Sequence, residues 1–151
     1  LKGLESSPIT SVHLWYDRPI MDVPHAVLLD GVGQWAFSRG EVAPGEHYVQ
    51  VVISASRELQ SLGSEAIGRR VVSELGRYFR AASTARLLRR REVTVRDATF
   101  SAVPDVDSRR PGAASPIANL VLAGDWTATG WPATMEGAVR SGYLAANAIL
   151  R

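Results

Sequence analysis

The stretch that most constrains the fold lies near the end of the chain. It runs Asn119-Leu120-Val121-Leu122-Ala123-Gly124-Asp125-Trp126-Thr127-Ala128-Thr129-Gly130-Trp131-Pro132-Ala133-Thr134-Met135-Glu136-Gly137-Ala138-Val139-Arg140-Ser141-Gly142. Residues 120–123 form a continuous apolar run closed by Gly124, the pattern of a short strand buried on both faces. A turn with Asp125 at its tip follows, then a Gly/Trp/Pro loop. Pro132 suits the first turn of a helix. Small residues then recur every four positions: Gly137, Ser141 and Ala145 in one row, Ala138, Gly142 and Ala146 in the next. A glycine inside a helix costs about 1 kcal/mol relative to alanine. The spacing of Gly137 and Gly142 therefore predicts that something approaches the helix backbone closely.

A strand, a turn and a helix start facing the same way suit an anion or the polar edge of a ligand, through the free N–H groups of the first helical turn and the helix dipole. Asp125 repels phosphate but accepts hydrogen bonds from sugar-type hydroxyls. The pattern fits a ligand carrying both hydroxyls and negative or carbonyl oxygens. It fits equally an ordinary strand-to-helix crossover in a seam of small residues, and spacing alone leaves both readings open.

Upstream, residues 9–16 alternate, with Val12, Leu14 and Tyr16 on one side and Ser11, His13 and Trp15 on the other, as in a strand with one buried face. Residues 26–29 and 34–37 flank Asp30-Gly31-Val32-Gly33, a hairpin pattern in which Gly31 tolerates positive φ. After the Ala43-Pro44-Gly45 turn, residues 47–54 alternate again around Val49, Val51 and Ile53. Leu62, Ala66, Ile67, Val71, Leu75, Tyr78 and Phe79 recur at helical spacing, with Ser64 as N-cap, Glu65 in the first turn and Arg77 and Arg80 in the last. Residues 92–100 read as a strand with Val93 and Val95 inward, and residues 104–116 as a polar linker. Hairpins with a covering helix predict an α+β fold, a mixed but largely antiparallel sheet covered by helices.

Other chemistry is thin. The chain of 151 residues has no cysteine, which removes disulfides and thiolate metal sites. No apolar run reaches the roughly 20 residues that cross a bilayer. His13, His25 and His47 lack metal-ligand spacing, so ordinary hydrogen-bonded histidines are expected. Asp97, Asp105 and Asp107 supply too few regularly spaced oxygens for a calcium loop. No Ser/His/Asp arrangement is assembled by sequence order alone. Net charge is only +2, but Arg86, Arg89, Arg90, Arg91 and Arg96 form a basic run. It is either a solvated strand face or a contact for an anionic membrane surface; without a recognition motif, nucleic acid is not indicated.

The Leu122-Ala123-Gly124-Asp125 run, followed by Gly130-Trp131-Pro132-Ala133-Thr134-Met135-Glu136-Gly137-Ala138-Val139-Arg140-Ser141-Gly142, resembles the C-terminal flavin motif of the FAD-dependent amine oxidase and carotenoid desaturase superfamily. Asp-Trp-Thr and Gly-Trp-Pro-Ala-Thr-Met-Glu-Gly are most similar to its squalene-associated branch, the hydroxysqualene dehydroxylases. Ser7-Pro8-Ile9, His13 to Pro19, Ser54 to Arg57, Ala98-Thr99-Phe100 and Arg110-Pro111-Gly112 extend the likeness over most of the chain. The superfamily's N-terminal Gly-x-Gly-x-x-Gly turn, which holds the ADP half of FAD, has no counterpart; Gly31-Val32-Gly33 does not complete it.

The resemblance implies the C-terminal part of a longer enzyme. Residues 1–118 would belong to the substrate-binding domain and residues 119–151 would supply the last strand and helix of the FAD-binding domain. The N-terminal dinucleotide-binding domain would be missing. It implies FAD as cofactor, with Asp125 beside the ribityl or pyrophosphate region and Thr134, Met135 and Glu136 against the pyrimidine edge. Gly124, Gly130, Trp131 and Pro132 would complete the cofactor set. Trp15, Trp35, Phe37 and Trp131 are either packed in the core or line a tunnel for a long hydrocarbon substrate. The implied reaction removes the hydroxyl of hydroxysqualene to give squalene, in hopanoid or sterol-type biosynthesis. A carotenoid or phytoene desaturase, an amine oxidase fragment and a non-catalytic lipid- or partner-binding module are the alternatives. No catalytic acid is identified. The expected setting is cytoplasmic, free or peripheral to a membrane. An orphaned 120–123 strand would favour self-association or segment exchange.

Overall fold

A computed structural model describes residues 3–150. They contain β1 (Ser6–Tyr16), β2 (His25–Val27), β3 (Trp35–Ala43), β4 (Glu46–Ser54), α1 (Ser64–Tyr78), α2 (Arg80–Thr84), β5 (Leu87–Phe100) and α3 (Met135–Ile149). Short 3-10 turns occupy Ser56–Leu62 and Val106–Arg109. Two compact units result: Ser7–Ala98, and the residues up to Ser6 together with those from Thr99 onward.

In the first unit the strands form one sheet in the order β2-β3-β4-β1-β5. β1 with β4, β2 with β3 and β3 with β4 are antiparallel. Alternation decides its inner face: Val12, Leu14 and Tyr16 from β1, Ala36 from β3, and Val49, Val51 and Ile53 from β4 are buried. Ile67, Val71 and Leu75 of α1 join this core at the helical spacing the sequence shows.

Three turns differ from expectation. Asp30, not Gly31, carries the positive φ of the β2–β3 loop, at 61°. Gly31 is small for another reason: a Cβ there would lie 2.7 Å from a carboxylate oxygen of Glu74. That buried carboxylate reaches up from α1 and accepts the N–H groups of Val32 at 3.0 Å and Gly33 at 3.1 Å, with Arg70 at 3.4 Å. Ser64 is the first helical residue, and Gly63 occupies the cap without a side-chain bond. Pro132 lies outside α3, whose N-cap is Thr134.

β5 is shifted in phase. Val93 and Val95 are exposed, the latter at 53%. Glu92 and Thr94 are the half-buried positions beside them. Thr94 shares a 2.8 Å hydroxyl bond with Thr10, which makes another with buried Ser56. Glu92 pairs with Arg90 at 2.5 Å, and its carboxylate occupies the space that a Cβ on Gly68 of α1 would fill. Polar groups with a hydroxyl or charged partner thus take the inward positions, which apolar alternation does not reveal.

In the second unit, residues 120–123 are not a strand. Val121 makes a single antiparallel bridge to Ala114, and Leu120 is 44% exposed. No other strand among the described residues lies beside it, so no parallel ladder forms and the sheet is not mixed. Residues 104–116 are more ordered than a solvated linker: Val106 and Arg110 are buried.

Candidate functional site

The C-terminal turn is organised by Arg110, whose side chain is only 4% exposed. Its guanidinium donates to the Asp107 carboxylate at 2.9 Å and to the backbone carbonyls of Trp131 and Asp125, both at 2.8 Å. One cation thereby joins the two ends of the 125–131 loop. The same guanidinium lies 5.5 Å from the Phe100 ring centre, and its Nε is buried with no partner among the described residues. A cavity of about 620 Å³ opens beside it, lined among others by Phe100, Val106, Trp131 and Pro132.

The turn is also fixed to α3. Gly124 has φ 148°, and a Cβ there would collide with the Trp126 indole nitrogen. Its N–H donates to the Ser141 hydroxyl at 2.7 Å, while Thr127 Oγ1 donates to the Gly124 carbonyl at 2.8 Å. Thr134 caps α3 by accepting the Gly137 N–H at 3.3 Å. The Pro132 carbonyl lies 2.6 Å from where a Gly137 Cβ would stand, which is the close approach that helix glycine predicts. Gly142 has nothing within 4 Å, so for that glycine the expectation fails among the described residues.

Several polar groups here stay open. The Met135 and Glu136 amides, and the half-buried Asp125 carboxylate, make no hydrogen bond among the described residues. Met135 is 89% exposed. The Glu136 carboxylate is committed instead to Arg140 at 2.7 Å, and that guanidinium lies 4.2 Å over the Trp131 ring.

The other unit carries an aromatic surface on the sheet face opposite its core. Register places His25 against Phe37, Phe37 against Gln50 and Gln50 against His13, a row across four strands. The next row is Val27, Trp35, Val52 and Ser11. Trp35 and Phe37 stack with centroids 5.9 Å apart, and Trp15 and Tyr48 at 5.0 Å. His13 lies 5.9 Å from Tyr48 with its ring plane within 10°, and its Nδ1 is 2.6 Å from the Tyr48 hydroxyl. The Arg89 guanidinium covers the Trp15 ring at 4.0 Å while pairing with Glu46 at 2.8 Å. Partial burial and the positive charge of Arg91 push the His13 pKa below its ordinary value. Partial burial raises that of Tyr48, against the opposing charge of Arg39.

The sequence model for flavin containing amine oxidoreductases matches residues 1–150. The chain belongs to that family. It is 35% identical over 149 residues to a hydroxysqualene dehydroxylase of Sinorhizobium fredii, covering 97% of this chain and 33% of that protein. It is 31% identical over 160 residues to a 15-cis-phytoene desaturase of Synechococcus elongatus, covering 99% of this chain and 34% of that one. An oxidoreductase from Methanosarcina mazei shares the fold, with a TM-score of 0.54 at 14% identity over 98% of this chain and 35% of that structure. The chain spans about a third of the length of the curated relatives it matches.

FAD is the cofactor that family membership implies. The open groups fit its chemistry: the Asp125 carboxylate suits hydroxyl donors, and the two free amides at the start of α3 suit carbonyl or anionic oxygens. Gly124, Asp125, Gly130, Trp131, Pro132, Thr134, Met135 and Glu136 all fall in the second unit. Trp15, Trp35 and Phe37 share one sheet face in the first, outside the main core. Trp131 belongs to the second unit. The sequence alone assigns no role to the Arg110 guanidinium, to the Ser141 hydroxyl or to a pairing of His13 with Tyr48. Arg110 sits within the family-like Arg-Pro-Gly, a signal without a role attached; His13 and Tyr48 meet only through strand register.

Proposed function

We propose that this chain is the C-terminal part of an FAD-dependent oxidoreductase acting on an isoprenoid lipid, and that the reaction is reductive removal of the hydroxyl of hydroxysqualene to give squalene. The observation that carries the reading is the half-buried aromatic sheet face, a surface suited to a long apolar chain. In this reading residues 1–118 contribute to the substrate domain and residues 119–151 complete the FAD-binding domain. Asp125 receives flavin hydroxyls, the amides of Met135 and Glu136 receive the ring edge, and Gly124 and Thr134 hold those groups in place. Trp15, Trp35 and Phe37 of the first unit meet the hydrocarbon, and Trp131 of the second is a separate candidate for the same role. Replacing C–OH by C–H takes two electrons and two protons and releases water; reduced flavin supplies the electrons when bound.

Desaturation of a carotenoid precursor is the second reading, supported by the likeness to the phytoene desaturase of Synechococcus elongatus. Product analysis separates the two. The chain, joined to an FAD-binding half of the family, is given reduced FAD with hydroxysqualene, or oxidised FAD with phytoene. Squalene from the first supports dehydroxylation; a desaturated product from the second alone overturns it. FAD titration of this chain by tryptophan fluorescence, with Asp125→Ala alongside, tests the cofactor role without turnover. Saturable quenching that the variant weakens is expected, and equal quenching by both removes Asp125 from the site.

A further inference from the structure

The aromatic face contains a rigid polar pair that its packing does not use up. His13 and Tyr48 share a single hydrogen bond at 2.6 Å, and His13 Nε2 has no partner among the described residues. The outward chemistry of the pair is the same for either tautomer. If the Tyr48 hydroxyl donates to Nδ1, Nε2 carries a hydrogen and the phenolic oxygen keeps acceptor capacity. If Nδ1 donates to the phenolic oxygen, the hydroxyl hydrogen is free and Nε2 accepts. Either way the pair offers one donor and one acceptor, which complements an alcohol. The other polar pair on this face is joined by a longer bond, with Gln50 Nε2 donating to Ser11 Oγ at 3.3 Å.

Position and rigidity add to this. Tyr48 is stacked against both His13 and Trp15, so both polar tips are held without first having to be ordered. Partial burial and, after it, the charge of Arg91 favour the neutral imidazole, which keeps both donor and acceptor character.

We propose that the His13–Tyr48 pair is a hydroxyl-recognition site within the aromatic face, and that it selects an oxygenated isoprenoid over a hydrocarbon one. The inference rests on the reading that this face meets the isoprenoid, and it narrows the substrate to an alcohol. A hydrocarbon lying across the pair covers a donor and an acceptor without replacing their water, whereas an alcohol satisfies both. Sites built to bond a hydroxyl reject the analogue lacking it. For a half-exposed pair the expected discrimination is about tenfold.

The test is binding to this chain, read by tryptophan fluorescence, of farnesol and of farnesene, its hydrocarbon counterpart. Farnesol is expected to bind about tenfold more tightly. Tyr48→Phe should narrow that ratio, and the double variant His13→Phe/Tyr48→Phe should bring it to about one while hydrocarbon binding persists. Equal affinities in the native chain, or a preference that survives the double variant, overturn the proposal. A long-chain carboxylate that binds more tightly than the alcohol, and depends on Arg91 and not on Tyr48, reassigns the site to an anion and overturns it too. If neither isoprenoid binds, the isoprenoid reading itself fails and this inference falls with it.

Discussion

Gly124 donates its backbone N–H to the hydroxyl of Ser141 at 2.7 Å, and Ser141 passes its own hydrogen to the Ala138 carbonyl at 2.6 Å. A relay of two bonds therefore locks the acid-bearing turn onto the second turn of α3. Ser141→Ala leaves the Gly124 amide without its acceptor at a site where the serine is 1% exposed. A loss of about 1–2 kcal/mol is expected in urea unfolding, with weaker FAD quenching. Unchanged stability would show that the relay contributes nothing.

Glu74 holds the β2–β3 loop through two backbone amides. Glu74→Ala strands both in a buried setting, and a loss of about 3 kcal/mol is expected. Gly31→Ala should act through the same carboxylate, so its cost should shrink in a Glu74→Ala background. Urea unfolding of the two single variants and the double variant measures that coupling; strict additivity contradicts the contact.

Tyr16 is buried, and its hydroxyl has no partner among the described residues. Burial raises its pKa from 10.0 to about 12. A raised folded-state value means that the contribution is present below pH 10 and is lost as pH climbs through 10 towards 12. Thermal melts across that window should show a decline that Tyr16→Phe removes. At neutral pH the same variant should be neutral or stabilising by about 1 kcal/mol. A Tyr16→Phe protein that declines identically assigns the effect elsewhere.

Leu120, the α3 residues Met135, Val139 and Tyr143, and Leu150 just after α3 are exposed. An apolar run with one bridge and a helix face of this kind favour association. Sedimentation of the chain should therefore depend on concentration in the low micromolar range. A concentration-independent monomer disproves it.

The parts of the fold legible in the sequence are those where one physical effect dominates. Val12, Leu14 and Tyr16, then Val49, Val51 and Ile53, alternate because one sheet face is buried. α1 is legible for the same reason at helical period. β5 misleads because Thr94 and Glu92 find partners in Thr10 and Arg90, so polar residues face in and valines face out. Residues 120–123 mislead because a strand needs neighbours that an apolar run does not supply. In the candidate site, the turn and helix start are legible as a motif. The Arg110 tie and the His13–Tyr48 bond are not, because each depends on a meeting in space, one across 21 residues and the other across 35.

The two ends of the sheet differ in a way that bears on solubility. β2 closes one end with three residues, too few to template a neighbour. β5 closes the other with fourteen, long enough to recruit a second chain. Arginines stand at 89, 90, 91 and 96 along it, with Arg86 just before it. Arg89 and Arg90 are paired with Glu46 and Glu92, so Arg91 and Arg96 are the charges that two such borders would set side by side. A basic border of this kind disfavours sheet-to-sheet growth.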